Sequence, residues 1–358
     1  MPDWSRIVNT TTKNYIKGEE VNVLRNRKLL ALLKSKSRIS FNWGGDGMDW
    51  KLRYRRAPLL GYMDAETLTF PRRDRWKTAQ LEYRGYAMTD SMTKGEKLKN
   101  KSVQQIVDLY ATIAKSLLDD ITDAFHEELY VDGNAAGNSR RIHGIESFLG
   151  GATPASTGFI ANASDTYAGL STVLGNYGGS WTGNWPIGTG SAEYDFFSPL
   201  LVDYTDTAWS PSTDTWATTA VEAMRFAIIH TMKNKAKEGM LDLIMLDPEL
   251  YRQWLELLDD KERIIVKGST SNSNLVKLGF TDVQNFDGVD VTYEYGVPSA
   301  VGYGFNTSQM EVRSMQGQLF APEGPDYDIA AKSWRYSIDY YGNAVFNPRY
   351  FCRFGAYT

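Results

Sequence analysis

Few residues in this sequence have the types and spacing that catalysis or metal binding requires. The chain has 358 residues and three histidines, which are far apart in sequence: His126, His143 and His230. His126 lies beside the apolar stripe of a predicted helix, which favours a structural role. The single cysteine, Cys352, lies among aromatic residues near the end of the chain. One cysteine excludes a disulfide framework and a multi-cysteine zinc site, and we expect an inert, buried thiol.

The remaining motifs that could support chemistry are incomplete. Asp119, Asp120 and Asp123 cluster on the same predicted helix, where a solvated or contact face is a more common role than acid–base catalysis. The segment 188–190 (Gly-Thr-Gly) begins like a dinucleotide fingerprint but lacks its third glycine and the following helix. The sequence contains neither a nucleophile elbow nor a calcium loop. It therefore gives no positive reason to predict an enzyme, a metal or a cofactor.

Charge is distributed unevenly along the chain. Residues 1–80 carry 17 Lys/Arg and 8 Asp/Glu, a balance of +9, whereas residues 81–358 carry a balance of −13. The total of −4 argues against a dedicated sequence-specific nucleic-acid binder.

Aromatic residues make up 13% of the chain, which indicates large buried or inter-subunit surfaces. No apolar run approaches the roughly 20 residues of a membrane span.

Residues 1–40 are predicted to form a basic arm. The segment 21–40 has no acid, and its leucines, among them Leu29 and Leu33, are spaced for a short amphipathic helix. Such an arm either has a solvated basic face or docks on something acidic, such as other copies of the chain or nucleic acid. Its basic residues are Arg25, Arg27, Lys28, Lys34, Lys36 and Arg38.

Residues 41–100 are predicted to form a two-stranded ribbon. Apolar and polar residues alternate from Met48 to Tyr54, and Leu81 and Tyr83 indicate a returning strand. Glu82 is placed to pair across the ladder with an arginine of the first strand, an exposed pair worth about 0.2–1 kcal/mol. Because an exposed apolar ribbon face is a liability on a monomer, we expect it to lie over a neighbouring subunit. The predicted contact residues are Trp50, Arg53, Tyr54, Arg55, Arg56, Arg72, Arg73, Arg75, Trp76 and Glu82.

The strongest helix signal runs from residue 103 to residue 130. Apolar residues recur there every three or four positions, and Ser102 with Gln105 fits a capping box. Gly133 is suited to a left-handed stop. One helix of this length would span roughly 42 Å at 1.5 Å per residue. Its apolar stripe therefore needs more than local neighbours to cover it.

Further elements follow the long helix. A helix is predicted at 215–237, a buried strand at 240–246 and a helix that begins at Asp247-Pro248-Glu249. Strands are predicted near 263–266, 289–294, 302–306 and 310–315. The chain is predicted to close in a hairpin with its turn at Gly342-Asn343.

This order of elements resembles the major capsid proteins of tailed double-stranded DNA phages, which have the Hong Kong 97-type fold. Short sequence segments support the resemblance by their order and spacing along the chain: Leu129-Tyr130-Val131-Asp132-Gly133-Asn134, Ile142-His143-Gly144-Ile145, Asp242-Leu243-Ile244-Met245, Pro248-Glu249-Leu250-Tyr251, Gly288-Val289-Asp290-Val291, Gly302-Tyr303-Gly304-Phe305-Asn306, and Tyr340 to Arg349. The Gly- and Trp-rich stretch 150–198 has no counterpart that we can assign. No lysine–asparagine cross-linking pair is indicated.

The resemblance implies an α+β chain with five parts. They are an N-terminal arm (1–40), an extended β-hairpin loop (41–100), a spine helix and peripheral domain with an insertion (101–237), an axial domain (238–325) and closing peripheral strands (326–358). It implies an icosahedral shell of hexamers and pentamers that is assembled in the bacterial cytoplasm and encloses phage DNA. Scaffold, portal and decoration proteins are the implied partners. The implied contact with double-stranded DNA is non-specific. Neither a membrane nor a cofactor is implied.

Two alternatives remain open at this stage. An encapsulin-type nanocompartment shares the fold, although such chains are typically shorter and have a smaller extended loop. A carbohydrate-binding or carbohydrate-active protein is suggested by aromatic residues of the kind that stack on sugars: Tyr177, Trp181, Trp185, Trp209 and Trp216.

Overall fold

The computed structural model describes residues 27–99, 109–149, 152–155, 159–209, 215–233, 239–259, 274–280 and 282–357. Seven α-helices lie in these ranges: α1 Lys28–Ser35, α2 Lys94–Lys99, α3 Leu109–Glu128, α4 Glu146–Leu149, α5 Trp216–Met232, α6 Pro248–Asp259 and α7 Asn274–Lys277. No helix in the described part of the chain is both long and apolar enough to cross a membrane.

The same residues form nineteen strands: β1 Ile39–Trp43, β2 Met48–Arg53, β3 Trp76–Leu81, β4 Arg84–Thr93, β5 Ala152–Ala155, β6 Ile160–Ala163, β7 Thr166–Tyr167, β8 Leu170–Ser171, β9 Trp181–Thr182, β10 Thr189–Gly190, β11 Leu200–Asp203, β12 Leu243–Leu246, β13 Gln284–Phe286, β14 Val289–Tyr293, β15 Gly302–Phe305, β16 Met310–Met315, β17 Ala321–Asp328, β18 Ser333–Phe346 and β19 Cys352–Gly355. The mixture of helices and sheets is the predicted α+β class.

An eight-stranded sheet forms one half of the core. Its order is β13-β14-β12-β15-β19-β11-β6-β5, with parallel and antiparallel neighbours. Strand β12 is Leu-Ile-Met-Leu and is buried at every position, because side chains cover both of its faces. Helices α5 and α6 pack against this sheet through Trp216 and Trp254. The sequence predicted both helices and strand β12.

The second sheet packs against the long helix α3. Its order is β1-β16-β18-β17, and β4 pairs with the other edge of β18 from Ser333 to Gly342. Ile113, Leu117 and Ile121 of α3 are buried in one cluster with side chains of β4 and β18. These residues are four apart, which confirms the predicted apolar stripe at these three positions. The capping pair Ser102 and Gln105 lies outside the described residues.

Gly133 has a different role from the one predicted. Helix α3 ends at Glu128, and Gly133 does not have a positive φ. A Cβ at this position would lie 2.6 Å from the carbonyl oxygen of Ile142. The glycine is therefore needed for the close approach of two chain segments and not for a left-handed helix stop.

The predicted terminal hairpin is wrong. Strand β18 runs without interruption through Gly342 and Asn343, and its hairpin partner is β17, which precedes it. Gly342 allows the backbone of Arg313 in β16 to approach, and the buried Asn343 amide donates to the carbonyl oxygen of Glu82 at 2.8 Å. Glycine and asparagine are typical of turns, but here they allow two strands to pack closely and to hydrogen-bond. The predicted strand at 263–266 lies outside the described residues.

The Gly- and Trp-rich stretch contributes to the main core. Strands β5 and β6 extend the eight-stranded sheet, while β7–β8 and β9–β10 are short two-stranded ladders. Phe196 and Phe197 are buried in the core cluster. This segment therefore covers the sheet and supports the base of the ribbon.

Candidate subunit-contact surface

The ribbon that was predicted from alternation is present. Strands β2 and β3 pair antiparallel from Met48–Leu81 to Arg53–Trp76. The returning strand starts at Trp76, earlier in the sequence than Leu81 and Tyr83 suggested. A 22-residue segment, 54–75, connects the two strands. We call residues 57–75 the ribbon tip.

The base of the ribbon packs on its own chain, which corrects one expectation. Tyr54 is only 7% exposed, and its ring lies 6.3 Å from that of Tyr177 and 5.8 Å from that of Phe196. Trp50 is half-buried, with its ring 6.4 Å from that of Tyr167. These partners come from the stretch that the sequence left unassigned. The apolar face of β2 is thus covered within the subunit.

The ribbon tip, in contrast, is exposed throughout. Leu59 is 99% exposed and Phe70 is 91% exposed. Leu60, Tyr62, Met63 and Leu68 are also exposed, as is Trp76 just beyond the tip. A run of exposed large apolar residues is typical of an interaction surface.

The ribbon also carries positive charge that the described residues of its own chain do not neutralise. Arg53, Arg56, Arg72, Arg73 and Arg75 are exposed, and none has a carboxylate within 4.0 Å among the described residues. Arg55 is the exception, since its Nε lies 3.5 Å from Glu193 Oε1. The ribbon therefore presents uncompensated guanidinium groups beside apolar side chains, a combination that suits an acidic and partly apolar partner.

Glu82 does not pair across the ribbon ladder as predicted. It lies just beyond the end of β3, is exposed, and has its nearest ion-pair partner in Arg84, at 4.0 Å. The physical reason is register: β3 ends at Leu81, which pairs with Met48, so no arginine of β2 is opposite Glu82.

The end of the basic arm docks on its own chain. Helix α1 buries four leucines in the core, as the amphipathic spacing predicted. Lys28 is 1% exposed, and its Nζ donates to Thr292 Oγ1 at 2.8 Å and to Asp282 Oδ2 at 3.2 Å. Burial lowers the pKa of this ammonium, and the neighbouring Asp282 opposes that effect.

Glu294 joins the arm helix to the long helix. Its Oε1 accepts a hydrogen bond from the backbone nitrogen of Lys28 at 2.5 Å, at the start of α1. Its Oε2 accepts from the hydroxyl of Tyr130 at 2.6 Å and lies 3.1 Å from His126 Nε2. A carboxylate at a helix N-terminus is favoured by the unpaired amides and the helix dipole. His126 therefore has the structural role that its position predicted.

Other arm residues also pair within the chain, whereas the sequence suggested other copies or nucleic acid as partners. Arg27 forms an ion pair with Asp123 of α3, and Lys36 Nζ lies 2.6 Å from Asp242 Oδ2. Lys34 is exposed and Arg38 is half-buried, while Arg25 lies outside the described residues. The folded chain itself thus supplies acidic partners for this end of the arm.

The other two histidines and the cysteine lie in packed surroundings, where His143 and Cys352 are buried and His230 is half-buried. His143 Nδ1 lies 2.9 Å from Asn343 Nδ2, and burial lowers the pKa of this imidazole. Burial, with a smaller contribution from Lys233, lowers the pKa of His230 to about 4. Burial raises the pKa of the Cys352 thiol, which makes it unreactive. Among the described residues, no three His, Cys, Asp or Glu side chains are grouped to hold a metal ion.

The tryptophans that suggested sugar binding are mostly core residues. Trp185, Trp209 and Trp216 are buried. Trp209 Nε1 donates to the carbonyl oxygen of Asp203 at 2.7 Å, and Trp216 Nε1 donates to that of Leu250 at 2.8 Å. Their faces are therefore unavailable as a platform for a sugar.

Sequence reasoning missed an acidic surface on the β17–β18 hairpin. Glu323, Asp326 and Asp328 of β17, with Asp90 of β4, line an open groove of about 840 Å³. Arg335, the one cation in this lining, pairs with Asp328. The run of acids at 323–328 was a visible signal, but only the pairing of β17 and β4 with β18 brings Asp90 to it.

Comparisons with known proteins add a likeness of fold. No family model matches the sequence, and no curated protein is similar to it in sequence. The capsid chain of cyanophage A-1(L) superposes with a TM-score of 0.61 at 14% identity, covering 97% of this chain and 98% of that one. The capsid of a native GTA particle gives 0.58 at 9% identity, with 97% and 96% covered. The capsid of cyanophage P-SCSP1u gives 0.56 at 11% identity, with 98% and 94% covered. The likeness spans nearly the whole of each chain.

Proposed function

We propose that this chain, which has the Hong Kong 97-type capsid fold, is the major capsid protein of a tailed phage. In this proposal, copies assemble as hexamers and pentamers into an icosahedral shell around packaged double-stranded DNA. The role is mechanical and requires no catalysis. Repeated contacts between different surfaces of identical subunits build such a closed shell.

The observation that carries this proposal is the ribbon tip. Its apolar side chains, such as Leu59 and Phe70, are exposed next to arginines that no described carboxylate neutralises. An isolated subunit gains nothing from such a surface and risks aggregation. A neighbouring subunit that covers the tip buries its apolar area and pairs its charges. The extended loop of one copy is thus proposed to lie across the peripheral domain of the next.

The remaining parts have proposed roles in the same assembly. Helix α3 is the spine, residues 238–325 form the axial domain that meets at five- and six-fold axes, and residues 101–237 with 326–358 form the peripheral domain. Contact with DNA is non-specific and electrostatic. Scaffold, portal and decoration proteins are the proposed partners. The protein is located in the virion after assembly in the host cytoplasm.

The two alternatives are less well supported. A sugar-binding protein would need accessible aromatic faces, and Trp185, Trp209 and Trp216 are buried. An encapsulin-type shell would be built on the same fold, so the contents of the particle distinguish it: cargo enzymes in one case and genomic DNA in the other.

Sedimentation of the purified protein tests the proposal. We expect ring-like capsomers or closed particles that form in a concentration-dependent way. A stable monomer at all salt and protein concentrations would exclude a shell-forming role. Particles that enclose an enzyme would favour the encapsulin alternative.

A further inference from the structure

A groove at the base of the ribbon is rich in arginine. It has a volume of about 540 Å³, and its lining includes Arg53, Arg55, Arg56, Arg349 and Tyr350. Arg55 pairs with Glu193 at 3.5 Å and Arg349 pairs with Asp195 at 3.1 Å. Arg53 and Arg56 have no carboxylate within 4.0 Å in the described part of the chain. We call this the arginine groove, and it retains a net positive charge.

The acidic groove of the β17–β18 hairpin has the complementary charge. Its lining includes the carboxylates of Glu323, Asp326 and Asp328, and Arg335, which also lines the groove, pairs with Asp328. Glu323 and Asp326 lie on β17, which is at the edge of its sheet and is exposed over most of its length. An exposed strand edge with several carboxylates can enter a groove that presents guanidinium groups. Each arginine can then form two directional hydrogen bonds with a carboxylate.

The two grooves cannot meet within one subunit. Arg335, which pairs with Asp326 in the ladder, lies near one end of β18, whereas Arg349 follows its other end at Phe346. Eleven residues of extended strand separate Arg335 from Phe346, which is about 35 Å at 3.3 Å per residue. Contact between the grooves therefore requires two copies. A contact between different surfaces of two copies continues around a ring or across a shell.

We propose that the arginine groove of one subunit binds the acidic β17–β18 hairpin of a second copy. This inference rests on the proposed shell function and names the surfaces of one of its contacts. Arg53 and Arg56 pair with Glu323 and Asp326 of the other copy. The contact lies at the ribbon base and is separate from the burial of the apolar ribbon tip.

Charge reversal and its rescue test the contact. We expect R53E/R56E and E323R/D326R each to lower the fraction of protein in particles at least tenfold. The chain that carries all four changes should restore assembly, because the complementary charges are exchanged. The exposed spine-helix variants K115E and D120R, which are single charge reversals of either sign, serve as controls and should assemble normally. Normal shells from either reversed variant, or no rescue in the combined chain, would overturn the inference.

A cross-linking experiment does not depend on how the reversed variants fold. Copies with R56C are mixed with copies with D326C before assembly and then oxidised. Because the native Cys352 is fully buried, only the introduced thiols should react. We expect a disulfide-linked dimer of the two variants in particles and none when K115C replaces R56C. Particles without this dimer would overturn the inference.

The outcomes separate this inference from the proposed function. Wild-type shells together with unaffected reversed variants would refute the contact and leave the shell function intact. A wild-type protein that never assembles would refute both. Reversed arginines that leave the shells intact but reduce bound DNA would identify the groove as a phosphate-binding surface, and the proposed contact would then be wrong.

Discussion

The backbone amide of Lys28 donates to a carboxylate oxygen of Glu294 over 2.5 Å. These residues are 266 positions apart, and their hydrogen bond fixes the start of the arm helix beside the end of strand β14. The other oxygen of the same carboxylate accepts from Tyr130, which follows helix α3. One buried carboxylate thus holds together three segments that are distant in sequence.

Removal of this carboxylate should destabilise the subunit and loosen the arm. Glu294→Ala leaves the Lys28 amide and the Tyr130 hydroxyl without this acceptor, and each unsatisfied buried donor costs about 1–3 kcal/mol. We expect the free energy of unfolding of the dissociated subunit to fall by roughly 3 kcal/mol in urea titrations. Trypsin should also cleave faster after Lys34 and Lys36. The exposed control Glu256→Ala should cost less than about 1 kcal/mol. Equal stability of the two variants would contradict the structural role of Glu294.

The ribbon should divide into a base that stabilises the subunit and a tip that does not. Tyr54 is buried between Tyr177 and Phe196, so Tyr54→Ala should lower the free energy of unfolding by about 3 kcal/mol. Phe70 is 91% exposed, so Phe70→Ala should change the free energy of unfolding by less than about 0.5 kcal/mol. The same variant should nevertheless reduce the yield of particles. Thermal unfolding of subunits and electron microscopy measure the two effects. A Phe70→Ala variant that assembles like wild type would show that the tip is not a contact.

Charge at the tip should matter for assembly and little for folding. Arg72, Arg73 and Arg75 are exposed, so their joint replacement by Glu should leave the circular dichroism spectrum of the subunit unchanged. Assembly should be strongly reduced, because the tip would repel an acidic neighbour. Wild-type assembly should weaken as salt screens these charges. Lys115→Glu, a single charge reversal of the same sign on another exposed surface, is the control. Normal particles from the triple variant would contradict the predicted role of these arginines.

Mild acid should destabilise the subunit partly through His230. Its pKa is lowered to about 4 in the fold, mainly by burial, from an ordinary value of 6.5. The unfolded chain therefore binds the proton first as pH falls, so this contribution to stability is present above pH 6.5 and is lost progressively between 6.5 and about 4. We expect His230→Phe to lose less stability than wild type across this interval in urea titrations at several pH values. Equal losses of unfolding free energy in the two proteins would show that protonation of His230 does not contribute to the acid destabilisation.

Local pattern predicted the elements whose signal lies in adjacent residues. The stripe through Ile113, Leu117 and Ile121 predicted helix α3, and alternation from Met48 to Tyr54 predicted β2. Pro248 after Asp247 predicted the start of α6. In each case the burial of one face within the folded subunit follows the spacing of apolar residues.

Long-range contacts determine the features of the fold that the local sequence pattern did not predict. Gly342 and Asn343 have the composition of a turn, but the approach of β16 and the hydrogen bond to Glu82 place them inside a strand. Tyr54 was predicted to contact another subunit, because nothing near it in sequence revealed Tyr177 and Phe196 as partners. The same limit applies to the acids that pair with Arg27, Lys28 and Lys36. The assignment of the exposed arginines to a subunit interface stays a prediction.

An electron micrograph of the expressed, purified protein tests the central claim most directly. The account predicts closed particles of uniform size with icosahedral symmetry, in which the ribbon tip of each subunit lies on its neighbour. Dispersed monomers, or irregular aggregates without symmetry under all assembly conditions, would contradict it.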